Sequence, residues 1–321
     1  MIGLSLRLYD ARGSAASIGG RCCGPRDLED ARRVACRLGI AHYVLDWEQR
    51  FHDEVIADFV SEYARGRTPN PCVRCNERVK FGPLLRRARA LGCETLATGH
   101  YARLRRSPAG VSLHRAADAA KDQSYFLFAL QDVLLEALDF PLGEMTKSEV
   151  RAVARAAGLP VADKPESMEI CFIPDGDHAA FVQARIPALP GDVVTEEGRI
   201  VGRHPGVHAF TVGQKKGVPG GGGRTVLRLE VANSRVVVGP EAEVFSDRAC
   251  IGDVRWIGAR PERELRAFVQ VRHRHAAAAA AVNPRDRGAE VRFDSPVRAV
   301  TPGQAAVFYE GDRVLGGGWI Q

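Results

Sequence analysis

The sequence predicts an α/β domain built on a parallel sheet, followed by a small central β-rich domain and a C-terminal β-barrel. Three observations carry this. Short apolar runs alternate with amphipathic helical stretches through the first half of the chain, the pattern of a parallel sheet with crossover helices. After about Ile173 helical periodicity fades and strand alternation takes its place. The later apolar runs are short and broken by Gly, Pro and Asp, as in barrels and sandwiches. The expected boundaries are 1–172, 173–242 and 243–321.

Each element follows in order. Ile2 to Tyr9 reads as an apolar strand, and the loop after it includes Gly19-Gly20-Arg21-Cys22-Cys23-Gly24-Pro25. A helix follows, capped by Asp27, with Leu28, Ala31, Ala35 and Leu38 on one face and Gly39 at its end. Tyr43-Val44-Leu45 is a buried strand. Phe51, Val55, Phe59 and Tyr63 recur every four residues and predict a helix stopped by Gly66. Arg67 to Asn76, with two prolines and two cysteines, reads as a loop. A helix over Leu84 to Leu91 leads to the strand Thr95-Leu96-Ala97-Thr98. Helical character continues from Tyr125 to Leu138 and from Thr146 to Ala157, where Thr146 and Glu149 form a capping box. Strands are expected over Thr225–Val231, Arg235–Val238, Glu264–Val271, Glu290–Phe293 and Ala305–Tyr309. The run Gly220–Gly223 reads as a flexible loop, and Ala276–Ala281 as low-complexity drift.

At 321 residues the chain is long enough for two or three domains, each with its own core. Its 45% hydrophobic and 26% charged residues suit a soluble globular protein. The net charge of +6 and pI near 9.0 favour an anionic partner, nucleic acid first, although a merely basic protein fits the same figures. No run of about 18 apolar residues marks a transmembrane helix. The opening Met1-Ile2-Gly3-Leu4-Ser5-Leu6 lacks the basic region of a signal peptide. A cytoplasmic setting is expected, in which the eight cysteines stay reduced and serve metal, cluster or sulfur chemistry rather than a disulfide framework.

The strongest local signal is Thr68-Pro69-Asn70-Pro71-Cys72-Val73-Arg74-Cys75-Asn76. A structural zinc site normally needs a second CxxC or paired histidines. A thioredoxin-like pair follows a strand and opens a helix, a context that the two prolines argue against. A distant partner is the third reading, and Cys171 is the candidate, although a cysteine between Ile170 and Phe172 also suits an inert core thiol. His100 stands at the end of a predicted strand, where it is either a hydrogen-bonded loop residue or a ligand contact. Arg272, His273, Arg274 and His275 form a basic patch in a predicted strand, either a solvated face or an RNA contact.

These stretches occur together with Lys80-Phe81, Ala97-Thr98-Gly99-His100-Tyr101-Ala102-Arg103, Lys121-Asp122-Gln123-Ser124-Tyr125-Phe126 and Ser167-Met168-Glu169-Ile170-Cys171-Phe172. Thr211-Val212-Gly213-Gln214-Lys215-Lys216-Gly217, Pro302-Gly303-Gln304-Ala305-Ala306-Val307-Phe308-Tyr309 and Leu315-Gly316-Gly317-Gly318 follow. In this order, over essentially the whole chain, they resemble the tRNA 2-thiouridylases. The resemblance implies a first domain of the ATP-pyrophosphatase type (adenine nucleotide alpha hydrolase-like). It implies that ATP, with Mg2+, adenylates the C2 oxygen of the wobble uridine and releases pyrophosphate. Sulfur then arrives as a persulfide from a sulfur-relay or cysteine desulfurase protein.

By the same resemblance Cys171 carries the persulfide and Cys75 is the nucleophile that frees its sulfur, leaving a disulfide to be reduced. Cys72 stands where many members have an Asp proposed as a base. With Cys75 and Cys171 it also offers three ligands to a 4Fe–4S cluster. Leu6 and Gly99 match ATP-contacting positions. Asn70, Pro71, Cys72, His100, Lys121, Asp122, Gln123, Arg272, His273 and Gln304 match tRNA-contacting ones, with Lys121, Asp122 and Gln123 around the extruded uridine.

One departure stands out. The family opens with a strand, an SGGxDSS loop that holds ATP phosphates, and a helix. This sequence begins where the second strand is expected, about thirty residues on by the span of one such unit, and Gly19-Gly20 does not supply the loop. The expectation is a late start codon or a fragmentary gene. The alternatives to an enzyme are a non-catalytic tRNA-binding relative and a structural zinc protein built on Cys72 and Cys75.

Overall fold

The computed structural model describes residues 1–9, 25–164, 170–173, 175–187, 189–220 and 222–321. Residues 19–24 of the glycine–cysteine loop, Gly221, and Ser167, Met168 and Glu169 of the cysteine motif lie outside the described residues.

The chain opens with β1 (Ile2–Arg7), whose Leu6 is 9% exposed. Helix α1 (Pro25–Leu38) starts two residues before Asp27. Asp27 is therefore a first-turn acid rather than a cap, and with Asp30 it holds the Lys164 ammonium. Strand β2 (Ala41–Asp46) pairs in parallel with β1, from Ile2 opposite Ala41 to Arg7 opposite Asp46. Helix α2 (Glu48–Phe51), a π-helical stretch (His52–Ile56) and α3 (Ala57–Ala64) follow without interruption. The predicted four-residue spacing holds: Phe51, Val55, Phe59 and Tyr63 are all buried.

The predicted loop at Arg67 to Asn76 is corrected in its second half. Pro71 opens α4 (Pro71–Cys75), which continues as a π-helical stretch (Asn76–Phe81) into α5 (Gly82–Ala90). A proline in a first turn gives up no hydrogen bond, because the N–H there has no intrahelical partner.

Strand β3 (Leu96–Ala97) comes next, then a hairpin that the sequence reading missed, β4 (Ala102–Ser107) with β5 (Gly110–Arg115). The helix predicted from Tyr125 to Leu138 is not formed. A 3-10 turn (Ser124–Phe126), the single turn α6 (Asp132–Leu135) and β6 (Leu138–Asp139) stand there instead. Leu127, Phe128, Ala129 and Leu130 are buried in succession. A surface helix needs a polar face, and this run has none. Strand β6 pairs in parallel with β3. Helix α7 (Lys147–Ala156) carries the predicted capping box, with Thr146 Oγ1 accepting from Glu149 N and Glu149 Oε2 from Thr146 N.

The remaining elements are α8 (His178–Gln183), β7 (Gly191–Val194), β8 (Ile200–His204), β9 (Thr225–Glu230), β10 (Arg235–Gly239), β11 (Phe245–Trp256), β12 (Leu265–Gln270), β13 (Ala278–Arg285), β14 (Gly288–Arg298), β15 (Ala305–Glu310) and β16 (Arg313–Ile320).

The chain divides into two compact units, Met1–Ala57 with Pro71–Asp177, and Asp58–Asn70 with His178–Gln321. The first holds the parallel pairs β1–β2 and β3–β6. The second holds a sheet in the order β8-β7-β10-β9 over Val193, Phe210, Val226, Val236 and Val238. It also holds a closed barrel, β11-β14-β13-β12-β15-β16, in which β16 returns to β11. Closure leaves no open strand edge.

Two readings are corrected in this barrel. The end of the alanine run is core rather than drift: Ala280 and Ala281 on β13 are 0% and 3% exposed, while Ala276 is exposed, and small side chains fit the tight interior of a small barrel. Arg272 to His275 lie in the turn between β12 and β13, not in a strand.

Candidate functional site

The CxxC pair rides on the helix that Pro71 starts. Cys72 is exposed, and Cys75, one turn on, is 7% exposed. Val73, Val79 and Phe81 are fully buried and fix the orientation of this helix. Asn76, 3% exposed, donates from Nδ2 to Phe126 O at 3.1 Å and so ties the helix to the turn after Gln123. Its buried Oδ1 receives no hydrogen bond among the described residues. Arg74 Nη1 meets Glu77 Oε2 at 3.1 Å.

Cys171 is half-buried in a turn closed by Ile173 N to Ile170 O at 2.9 Å. The turn is anchored by Phe172, whose ring meets Phe51 edge-on with centroids 5.6 Å apart. Cys72, Cys75 and Cys171 all belong to the first unit.

The polar loop 121–123 is built around Asp122. Its Oδ1 accepts from Ala116 N at 3.0 Å and Ser124 N at 3.1 Å. Its Oδ2 accepts from Arg115 Nη1 and Ser124 Oγ, both at 2.9 Å. The side chain is 8% exposed. Four donors thus hold this carboxylate as an anchor of the loop. Gln123 is placed differently. Its Oε1 accepts from Tyr101 N at 2.9 Å and its own N–H donates to Tyr101 O at 2.8 Å. The amide nitrogen Nε2 meets no acceptor among the described residues.

His100 Nδ1 lies 2.8 Å from Thr98 Oγ1, and its ring packs against Phe81 and Phe140 at 5.4 Å and 5.9 Å between centroids. Burial, then the Lys80 ammonium, lowers its pKa to about 3. It is a neutral ring at neutral pH, so any RNA contact there uses a hydrogen bond or stacking rather than charge. Gly99 is exposed just beyond β3, and Leu6 is buried near the carboxyl end of β1. Ligands of parallel α/β sheets bind beyond the carboxyl ends of the strands.

In the second unit, buried Gln270 donates from Nε2 to Arg272 O at 3.2 Å and His273 O at 2.7 Å, which shapes the basic turn. Gln304 donates from Nε2 to Thr68 O at 2.9 Å and Pro69 O at 3.4 Å. Thr68 N in turn donates to Pro302 O at 2.8 Å. The Gln304 amide hydrogens therefore hold the segment that leads to Asn70 and Pro71, a positioning task that its family match did not suggest. The sequence reading also missed Asn76, Arg115 and Gln270. Asn76 and Gln270 lie inside stretches the sequence did single out, but their side-chain partners are set by tertiary packing that the local sequence does not display.

Among the described residues no group of three or more His, Cys, Asp or Glu side chains is arranged to hold a metal ion. Cys72, Cys75 and Cys171 form no such group among the described residues, and no chemistry is derived through a 4Fe–4S cluster or a zinc ion. Also among the described residues, no helix is long and apolar enough to cross a membrane.

Three family models match in succession: a tRNA methyl transferase HUP domain over residues 1–175, a tRNA methyl transferase PRC-barrel domain over 179–240, and an aminomethyltransferase β-barrel domain over 246–320. Similar proteins include the tRNA-specific 2-thiouridylases MnmA of Rhodospirillum centenum, 49% identical over all of this chain and 85% of that protein, and of Rhizorhabdus wittichii, 52% identical over all of this chain and 84% of that protein. The MnmA of Acidothermus cellulolyticus is 50% identical over all of this chain and 90% of its own length.

Proposed function

We propose that the chain transfers sulfur to C2 of the wobble uridine in tRNA, and the premise is plain: it belongs to the family of tRNA-specific 2-thiouridylases. The observation that carries the chemistry is that the two motif cysteines, Cys75 and Cys171, lie in one compact unit. The reaction takes place in the cytoplasm, where tRNA, ATP and a persulfide donor meet.

ATP makes the C2 oxygen a leaving group. The uridine oxygen attacks the α-phosphorus, pyrophosphate departs, and the oxygen leaves later as part of AMP. Magnesium accompanies ATP to screen its phosphates. Leu6 and Gly99, at the carboxyl ends of parallel strands, suit the nucleotide. Gly99 offers exposed backbone with no side chain in the way. A relay or desulfurase protein loads Cys171 as Cys–S–S⁻. The terminal sulfur attacks C2. The Cys75 thiolate then attacks the inner sulfur, the S–S bond of the persulfide breaks, and AMP leaves as C=S forms. A Cys75–Cys171 disulfide remains, and an external thiol reduces it. Asn70, Pro71 and Cys72 beside the nucleophile, Lys121 and Gln123 around the base, neutral His100, and the Arg272–His273 turn are the tRNA contacts of this reading.

The test is a thiolation assay with unmodified tRNA, ATP, Mg2+ and a persulfide source, reading 2-thiouridine by mass. Wild type is expected to form product, and Cys75→Ser and Cys171→Ser to form none while still binding tRNA. Intact mass should show the added sulfur on Cys75→Ser and none on Cys171→Ser. Unchanged product in both variants overturns the mechanism. tRNA binding by wild type without any product would leave only a binding protein.

A further inference from the structure

Helix α5 carries an arginine face that neither the fold nor the proposed chemistry uses. Leu84, Leu85 and Ala88 are 7%, 2% and 2% exposed and define the buried side. At about 100° per residue, Arg86, Arg87, Arg89 and Ala90 fall on the opposite arc, and all four are exposed. Arg86 folds back over Gly82, where a Cβ would lie 3.8 Å from its Nη1.

None of these three arginines meets a carboxylate among the described residues. Other helices differ. On α1, Arg32 and Arg33 have Glu29 and Asp30 one turn earlier, and Arg155 on α7 pairs with Asp163 at 2.6 Å. Helix α5 contains no Asp or Glu at all. Arg86 and Arg89, one turn apart, repel each other. The negative end of the helix favours a cation in the last turn and accounts for Arg87 and Arg89, but not for three arginines without a counter-charge.

Position supplies the second argument. The helical backbone runs from Pro71 through Phe81 into α5. Arg86 therefore stands roughly 16 Å along the helix from Cys75, at about 1.5 Å per residue. One end presents the thiol to the reacting base, and the other presents three fixed positive charges.

We propose that Arg86, Arg87 and Arg89 form a docking ridge for the phosphate backbone of the tRNA substrate, on the stem next to the reacting loop. The ridge sets where the tRNA lies along this helix and carries no sequence information, since it touches phosphates only. This rests on the tRNA reading above. A polyanion is the occupant because it supplies the counter-charge that the chain omits here, and guanidinium groups suit phosphate.

The test measures tRNA binding by the full chain against salt, for wild type and for Arg86→Gln/Arg87→Gln/Arg89→Gln. Each lost phosphate contact lowers the slope of log K against log salt by about 0.7–0.9. The triple variant is expected to lose about 2 from that slope and, over the decade of salt between about 1 M and 0.1 M, about 100-fold in affinity near 0.1 M. A control triple, Arg235→Gln/Arg263→Gln/Arg287→Gln, removes equal charge from exposed positions of the second unit and is expected to shift the slope far less. Arg86→Lys/Arg87→Lys/Arg89→Lys should retain most of the slope. Equal slopes for the ridge and control triples, with wild type binding tRNA, overturn the ridge alone. Failure of wild type to bind tRNA overturns the ridge and the tRNA reading together.

Discussion

Removing the carboxylate of Asp122 should loosen the loop that carries Gln123, and the cost follows from its four contacts. Oδ1 holds the N–H groups of Ala116 and Ser124, and Oδ2 holds Arg115 and the Ser124 hydroxyl. In Asp122→Asn the amide oxygen can keep both backbone donors. The new NH2 then faces two donors. The Ser124 hydroxyl can turn to accept from it, because a hydroxyl does both, whereas Arg115 cannot. The unavoidable loss is one charge-assisted bond, about 1.5–3 kcal/mol when fully buried. Arg115 is 29% exposed and regains water, so about 1.5–2 kcal/mol is expected. Asp122→Ala also strands two backbone donors and should cost about 3–5 kcal/mol. The chain has two compact units, so a single melting curve mixes them. Amide exchange resolved by peptide avoids this. Peptides within 101–126 should exchange about 10-fold faster in Asp122→Asn and at least about 100-fold faster in Asp122→Ala, with peptides from β9 and β10 unchanged. Exchange within threefold of wild type in Asp122→Ala, combined with lost thiolation, would mean that the carboxylate reads the base and is not the anchor.

Three further outcomes are expected. His100 has its pKa lowered to about 3, so the unfolded chain binds the extra proton between pH 6.5 and 3. Stability should then fall as pH drops through that window, by about 1–2 kcal/mol from pH 6.5 to 5, and His100→Asn should flatten the fall in denaturant titrations at the two pH values. Gly303 has φ +89°, and a Cβ there would lie 2.8 Å from Thr68 N. Gly303→Ala should cost at least about 1 kcal/mol and speed amide exchange at Thr68, whose N–H holds Pro302 O. Thr146→Ala removes one half of the capping box and should cost about 1 kcal/mol, seen as faster exchange in the first turn of α7.

The sequence shows most clearly what depends on pattern. The four-residue spacing of Phe51 to Tyr63 and the Thr146–Glu149 box read correctly, because periodicity and capping are local. The errors share one cause, which is that tertiary packing assigns a role the local sequence does not display. Two prolines near a CxxC look like a loop until one of them opens a helix. Leu127 to Leu130 look helical until all four positions are buried. An alanine run looks like drift until a tight barrel needs small side chains. The β4–β5 hairpin did leave a signal, Pro108-Ala109-Gly110 between alternating residues, that was not read. The site divides the same way. Cys75 stands out locally in its CxxC, whereas Cys171 stands out only as part of an ordered set of motifs. The anchoring contacts of Asp122 and Gln304 were not legible, because a polar side chain that anchors a loop and one that reads a substrate are the same residue type.

Gln123 shows how anchoring and reading can be separated within one side chain. Its Oε1 is fixed by the Tyr101 N–H at 2.9 Å, which leaves Nε2 as a donor with no acceptor among the described residues. On the proposed reading that donor meets a carbonyl oxygen of the extruded uracil. Gln123→Glu keeps an oxygen for the Tyr101 N–H and replaces the donor with a second acceptor. Stability of the 101–126 segment should be unchanged. Thiolation should fall about 10–100-fold, from one lost hydrogen bond of about 0.5–1.5 kcal/mol plus repulsion between carboxylate and carbonyl. Gln123→Met loses both functions, so it should slow the reaction and also loosen the segment by about 1 kcal/mol. The pair separates the roles: an effect on rate alone in Gln123→Glu assigns Nε2 to the substrate. A rate within twofold of wild type in Gln123→Glu, with a loosened segment in Gln123→Met, would leave Gln123 as a second anchor. Base recognition would then have to fall to other groups of the same unit.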